Sequence, residues 1–420
     1  MNSPLVRFLR AVFSAVRTGW LMLGLTLLLL VGLELTMRVR RYREERPASG
    51  PPTYTEGDYR REPWAEQYWK ELVDIGNLRW RSYVYFRHAP YRGTYINIDS
   101  LGRRVTPQPA APAVPALRVR LYGGSTMWGE PLRDDHTIAA EIARRLQGLV
   151  PPGQRIDVTN VGESGYVFTQ DVLQLVLDLR GGERPDVVLF YDGLNDVAGT
   201  IEDREAGLPL NEHHRATEFA LGRALDRRLY PVGLERELGP ALELGRQAFE
   251  RLAFVEWVRS KKRGPPPPML RPDSVAAWTV RSYANTVRSV EALAAAYGFT
   301  PVYVWQPNLH ATEKQLDPYE KRLRAQIEKD SLHHTAQGAH RLIPALLDSA
   351  MRVVAAGRFV NETKLFAGDP QPVYVDRVGH NTEGAVPTIV DGFWPALETA
   401  VKRQLKASAT GATSAAKPRR

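Results

Sequence analysis

LRVRLYGGSTMWG, running from Leu117 to Gly129, decides the reading of this chain. Leu117, Val119 and Leu121 alternate with Arg118 and Arg120, the period of two that a strand requires. The run breaks at Gly123 and Gly124 and then delivers one serine, Ser125, ahead of a helix. A serine is a weak nucleophile until a turn exposes its hydroxyl and a base takes the proton, so hydrolase chemistry is built where a strand turns into a helix. Ser after Gly is equally a common helix N-cap, and the motif alone does not separate the two roles.

Three further segments bear on the choice. They are VTNVGESGY at Val158–Tyr166, the apolar run DVVLFY leading into DGLNDV at Asp192–Val197, and VYVDRVGHNTEG at Val373–Gly384. With the serine block they resemble, in this order, the SGNH (GDSL-type) hydrolase family, over roughly Leu117 to Leu397 with a non-matching insertion inside. The resemblance implies a nucleophile at Ser125 and an acid and base at Asp376 and His380. It also implies an oxyanion hole made by the N–H groups of Ser125 and Gly165 and the side-chain amide of Asn195.

The residue types suit that chemistry. Acyl transfer needs a nucleophile, a base within about 3 Å, and donors aimed at the developing oxyanion. Each residue also has a bland reading: Asn195 can close its own Asx turn, and Gly165 can simply supply a positive φ. What sets them apart is that each lies just after an expected strand, where open α/β sheets place their sites. Two features depart from the family pattern. Gly124 stands where an acid usually precedes the serine, and three residues separate Asp376 from His380 instead of two. Either Gly379 absorbs the extra residue as a bulge, or a backbone carbonyl or another acid orients the imidazole. His136, His310 and His340 lack both the order and the Asn-Thr-Glu-Gly turn that follows His380.

The amino end carries GWLMLGLTLLLLVGLELTM, Gly19–Met37, with Glu34 as its only charge. At 1.5 Å per residue this span just crosses a hydrocarbon core of about 30 Å. It exceeds a signal-peptide core of about 7 to 15 residues and no small-x-small cleavage site follows, so an uncleaved transmembrane anchor is expected. Arg7, Arg10 and Arg17 precede the span, whereas Arg38, Arg40, Arg41, Arg43 and Arg46 follow it, a balance that leans away from a cytoplasmic N-terminus. The family resemblance implies a catalytic domain on the periplasmic or outer side of the cytoplasmic membrane. With no cysteine, the chain suits either redox compartment.

The net charge of +9 sits at the ends: residues 1–50 hold eight Arg against three Glu, and residues 402–420 hold six Lys or Arg and no acid. The body is left near neutral and lacks the electrostatic footprint of a nucleic-acid binder. The basic ends read as membrane flanks and a solvated tail. No Walker loop, zinc-ligand spacing or dinucleotide fingerprint is present, so neither metal nor cofactor is expected.

Along the chain, residues 1–45 read as an arm and anchor, and residues 46–116 as a linker followed by an aromatic-rich layer containing Trp64, Tyr68, Trp69 and Trp80. Such density marks a lid or an edge layer packed on the main domain. Residues 117–404 read as a three-layer α/β sandwich with a mostly parallel five-stranded sheet, and residues 405–420 as a basic disordered tail. Strands are expected near 118–122, 156–161, 186–191, 300–305 and 373–376, and helices near 135–149, 168–180, 273–297, 338–356 and 385–404. Residues 198–272 are the insertion, either a cover over the site or a surface helical pair. Trp305, Gln306 and Pro307 follow the fourth strand and are either a wall of the site or core. The expected activity is serine-dependent hydrolysis of O-acyl groups on cell-envelope glycans or lipids. An O-acetyltransferase would use the same residues, and a degenerate glycan-binding or membrane-anchored assembly subunit is the reading outside catalysis.

Overall fold

The computed structural model describes residues 4–44, 62–76, 78–109, 116–152, 154–226, 233–250, 252, 269–329 and 331–415. The linker expected at 46–55 and the Lys-Lys-Arg-Gly-Pro run at 261–268 lie outside them. The chain divides into two compact units, residues 1–53 with 214–268, and residues 54–213 with 269–420.

The first unit contains α1, Pro4–Glu44, a single helix that takes in the whole expected span. Its stretch Val12–Arg40 has a mean hydropathy of 2.0 and none of it is buried. By length and composition alone this stretch is long and apolar enough to cross a membrane.

The second unit is built on a five-stranded parallel sheet. Its strands are β5 (Leu117–Gly123), β6 (Ile156–Asn160), β7 (Val187–Asp192), β8 (Thr300–Trp305) and β9 (Phe359–Asn361), in the order β6-β5-β7-β8-β9. Every residue of β7 is buried. Val187, Leu189 and Tyr191 enter one core, while Val188 and Phe190 enter the other. Alternation thus fills two apolar layers at once, which is why the strand reads as a continuous apolar run. On one face lie α4 (Ile138–Gln147), α8 (Pro318–Ile327) and α10 (Val386–Ala415); on the other lie α5 (Phe168–Arg180), α7 (Pro272–Tyr297) and α9 (Ser331–Val354). Burying one Val, Leu or Phe side chain contributes about 1.5 to 3 kcal/mol, so these two layers supply the main drive to fold.

The fifth strand is not where the sequence placed it. Residues 373–376 make only an isolated antiparallel bridge, Tyr374 to Asn381, and the sheet is completed by Phe359–Asn361 instead. Glu320 accepts hydrogen bonds from the N–H groups of Val373 and Tyr374 and so draws that segment off the sheet. The last helix also runs on to Ala415, where a tail was expected from 405. Residues 416–420 lie outside the described part.

The aromatic stretch folds as α2 (Ala65–Asp74) and two small antiparallel ribbons, β1 (Leu78–Arg81) with β2 (Tyr85–His88) and β3 (Tyr91–Arg92) with β4 (Asn97–Ile98). Trp64, Tyr68, Ile75, Ile96 and Ile98 form a separate small core with Trp128 and Val375. Trp128 follows Ser125 by three residues and Val375 precedes Asp376, so this layer packs behind the segments that carry both.

Candidate active site

β5 ends in a turn that only small residues can make. Gly123 has φ +152°, and a Cβ there would come within 2.4 Å of the Tyr191 carbonyl oxygen. Gly124 is constrained from outside: a Cβ there would lie 2.6 Å from Asn195 Nδ2. A side chain at this position would have to displace the Asn195 amide. Ser125 opens the short helix α3, Ser125–Trp128, with most of its surface buried.

The Val373–Gly384 loop brings the other two groups to it. His380 Nε2 lies 2.7 Å from Ser125 Oγ, and His380 Nδ1 lies 2.6 Å from Asp376 Oδ2. The extra residue between acid and base is taken up at Gly379, whose φ is +101°. Its N–H, and that of His380, donate to Asp376 Oδ1 at 2.9 and 3.2 Å. The carboxylate is thus fixed by its own loop, and with a proton on Nδ1 the neutral imidazole can accept the serine proton at Nε2.

Burial disfavours the His380 cation, but the charge and hydrogen bond of Asp376, with a smaller contribution from Glu130, outweigh it and lift the imidazole to about 9. Burial likewise pushes Asp376 up, yet His380 and the two N–H donors hold it below its ordinary value. The base form of His380 is therefore populated progressively as pH rises towards about 9.

Asn195 enters from the first turn of α6, Leu194–Asp203, just after β7. Gly193 makes that turn with φ +134°, and a Cβ there would come 2.8 Å from the Trp305 ring. Trp305 is 1% exposed and packs edge-on to Tyr283, so it is core that shapes the Asn195 turn and not an accessible wall. Gln306 is also buried, with its amide 3.5 Å from Thr126 Oγ1.

Asn195 Nδ2 donates to the Tyr166 carbonyl at 2.8 Å. An amide carries two N–H groups, so one remains for a ligand. Gly165, with φ +77°, lies in a loop pinned on both sides of it. Glu163 N–H donates to Gly123 O at 2.9 Å, Ser164 Oγ donates to Glu130 Oε2 at 3.1 Å, and Tyr166 O receives Asn195. All five residues singled out in the sequence, Ser125, Gly165, Asn195, Asp376 and His380, thus belong to one neighbourhood at the carboxyl ends of β5 and β7. His136 instead hydrogen-bonds Asp135, while His310 and His340 stack on each other, both buried.

Several supporting residues were not picked out in the sequence. Asp171 accepts from Gly123 N–H, and Asp196 accepts from Phe168 and Gly193 N–H, so buried carboxylates hold both glycine turns. Burial pushes Asp171 to about 7, Asp196 to about 6 and Asp192 further up, helped at Asp192 by its acidic neighbours. Next to the Gly165 loop, His88 hydrogen-bonds Glu163 and stacks on Trp128 at 4.8 Å between ring centres. The sequence signal was there in DGLND and GES, as acids set in apolar surroundings at strand ends. A cleft of about 610 Å³ lined by Trp64, Arg133, His136 and Glu383 does not include Ser125, Asp376 or His380, and its Arg133 is held by Glu383. Among the described residues, no group of His, Asp and Glu is placed to hold a metal.

No family model and no curated protein matches the sequence. Solved structures similar to the chain include LAE5, an alpha/beta hydrolase enzyme from the metagenome of Lake Arreo, at 13% identity and a TM-score of 0.35, covering 67% of this chain and 95% of that one. TesA is similar at 14% identity and a TM-score of 0.34, covering 67% and 99%. Axe2, an acetylxylan esterase from Geobacillus stearothermophilus, is similar at 12% identity and a TM-score of 0.36, covering 67% and 94%.

Proposed function

We propose that this protein is a membrane-anchored serine esterase. Ser125 attacks an acyl carbonyl, His380 takes the serine proton and returns it to the departing alcohol, and Asp376 orients and stabilises the imidazolium. The N–H groups of Ser125 and Gly165 and the Asn195 amide receive the negative charge that develops on the carbonyl oxygen. Water then replaces the alcohol and the same residues release the acid. The observation that carries this reading is the unbroken chain of 2.7 and 2.6 Å contacts from Ser125 through His380 to Asp376. Release of p-nitrophenol from p-nitrophenyl acetate, dependent on Ser125, tests it.

Asn195→Ala is expected to lower kcat about a hundredfold with little change in KM, the usual loss for one oxyanion donor. Its bond to Tyr166 supports a second role as a strut. A variant that melts earlier while its folded fraction keeps full kcat would leave Asn195 with the strut role alone.

The substrates we assign are O-acyl groups on cell-envelope glycans or lipids, reached from the outer side of the cytoplasmic membrane with α1 as the anchor. A periplasm-dependent reporter fused to the carboxyl terminus is expected to be active. A reporter that works only in the cytoplasm would contradict this placement.

A further inference from the structure

The helix after the nucleophile ends by delivering a carboxylate to the same imidazole nitrogen. Glu130 N–H donates to the Ser125 carbonyl at 3.0 Å, which ties the residue one turn beyond the serine. Its side chain is 24% exposed, and Oε2 stands 3.9 Å from His380 Nε2 and 3.1 Å from Ser164 Oγ. Asp376 already engages Nδ1 on the opposite edge of the ring. Glu130 therefore does not orient the imidazole; it borders the space beside Nε2, where the alcohol oxygen of an ester receives its proton.

We propose that Glu130 is a specificity-determining residue that accepts a hydrogen bond from a free hydroxyl on the alcohol half of the ester. This rests on the serine-esterase reading above. When the bond from the acyl carbon to the alcohol oxygen breaks, that oxygen takes the proton Nε2 received from Ser125. A hydroxyl one carbon further along the alcohol then faces Glu130 Oε2. An ionised carboxylate has about four acceptor positions, and the Ser164 hydroxyl uses one. The partial exposure makes the group reachable while removing part of its competing water. The same negative charge disfavours an alcohol that itself carries a carboxylate or phosphate next to the ester. Glu130 thus selects a neutral polyhydroxy alcohol over a simple alkanol, and Ser164 holds the carboxylate in place to do so.

The test uses the full chain in detergent, with glycerol monoacetate and propyl acetate as substrates that share a three-carbon alcohol and differ in its hydroxyls. The readout is the ratio of the two kcat/KM values. A site that hydrogen-bonds a substrate hydroxyl rejects the analogue lacking it, and one bond to a charged acceptor is worth about tenfold or more in that ratio. In Glu130→Ala the ratio is expected to fall about tenfold, and in Glu130→Gln, which keeps a neutral acceptor, by a smaller factor. Any change in His380 basicity moves both substrates together and cancels in the ratio. A ratio unchanged within about twofold in both variants, with hydrolysis still lost in Ser125→Ala, would overturn the role of Glu130 alone. Hydrolysis of both esters that survives Ser125→Ala would overturn the esterase reading and this inference with it.

Discussion

Ser125→Ala is expected to reduce ester hydrolysis by about 10⁴-fold or more. The oxygen that attacks is absent from this variant, and loss of a nucleophile removes nearly all of the chemistry a triad supplies. The residual rate is what oxyanion donors and binding achieve with water alone. The fold should survive the change. Ser125 lies at the start of a four-residue helix whose cap residue, Gly124, offers no side-chain cap, and the only side-chain bond assigned to Ser125 Oγ among the described contacts is the one to His380. Hydrolysis that continues at the wild-type rate in the folded variant would remove Ser125 from the mechanism.

His380→Ala and Asp376→Asn are expected to separate along different lines. Removing the base deletes the proton acceptor, so His380→Ala should fall about 10⁴-fold or more. Asp376→Asn keeps the base but loses the charge that raises it, and the Asn amide favours the wrong tautomer. A loss well above tenfold, more than about 1.4 kcal/mol of transition-state stabilisation, is expected. The pH profile supplies the second signature. With Asp376 present, kcat/KM should rise with pH through an acid limb displaced towards about 9, because only the neutral imidazole accepts a proton. In Asp376→Asn the opposing effect of burial remains while the raising charge is gone, so the limb moves down. A loss below tenfold with an unmoved limb would withdraw Asp376 as the orienting acid.

Much of this architecture was legible because strands buried on two faces read as continuous apolar runs and the helices between them as 3.6-residue periodicity. The strand at 300–305 and the helix at 168–180 agree with the structure at both ends. The strand expected at 373–376 failed for a different reason: Val373, Tyr374 and Val375 have strand-like side chains, but their N–H groups are claimed by Glu320 and by the turn at His380. The true fifth strand, Phe359–Asn361, is three half-buried residues without alternation and leaves no periodic trace. Gly379 was legible as the absorber of an extra residue because only a glycine sits between Val378 and His380. Glu130 and Ser164 were not, because nothing local connects them. They meet only when the loop after β6 folds back against the turn after β5. The same holds for Trp128, which reads as one apolar helical residue until Arg104, His88 and the aromatic layer close over it.

Of the residues at the centre of this account, Ser125 alone must form a covalent bond, and that bond can be seen directly. The most direct measurement is treatment of the purified protein with a fluorophosphonate, followed by peptide mass spectrometry to locate the adduct. Stoichiometric modification at Ser125 is expected, slowed strongly in His380→Ala and absent in Ser125→Ala. A folded protein that remains unmodified, or an adduct on another residue with Ser125 untouched, would contradict it.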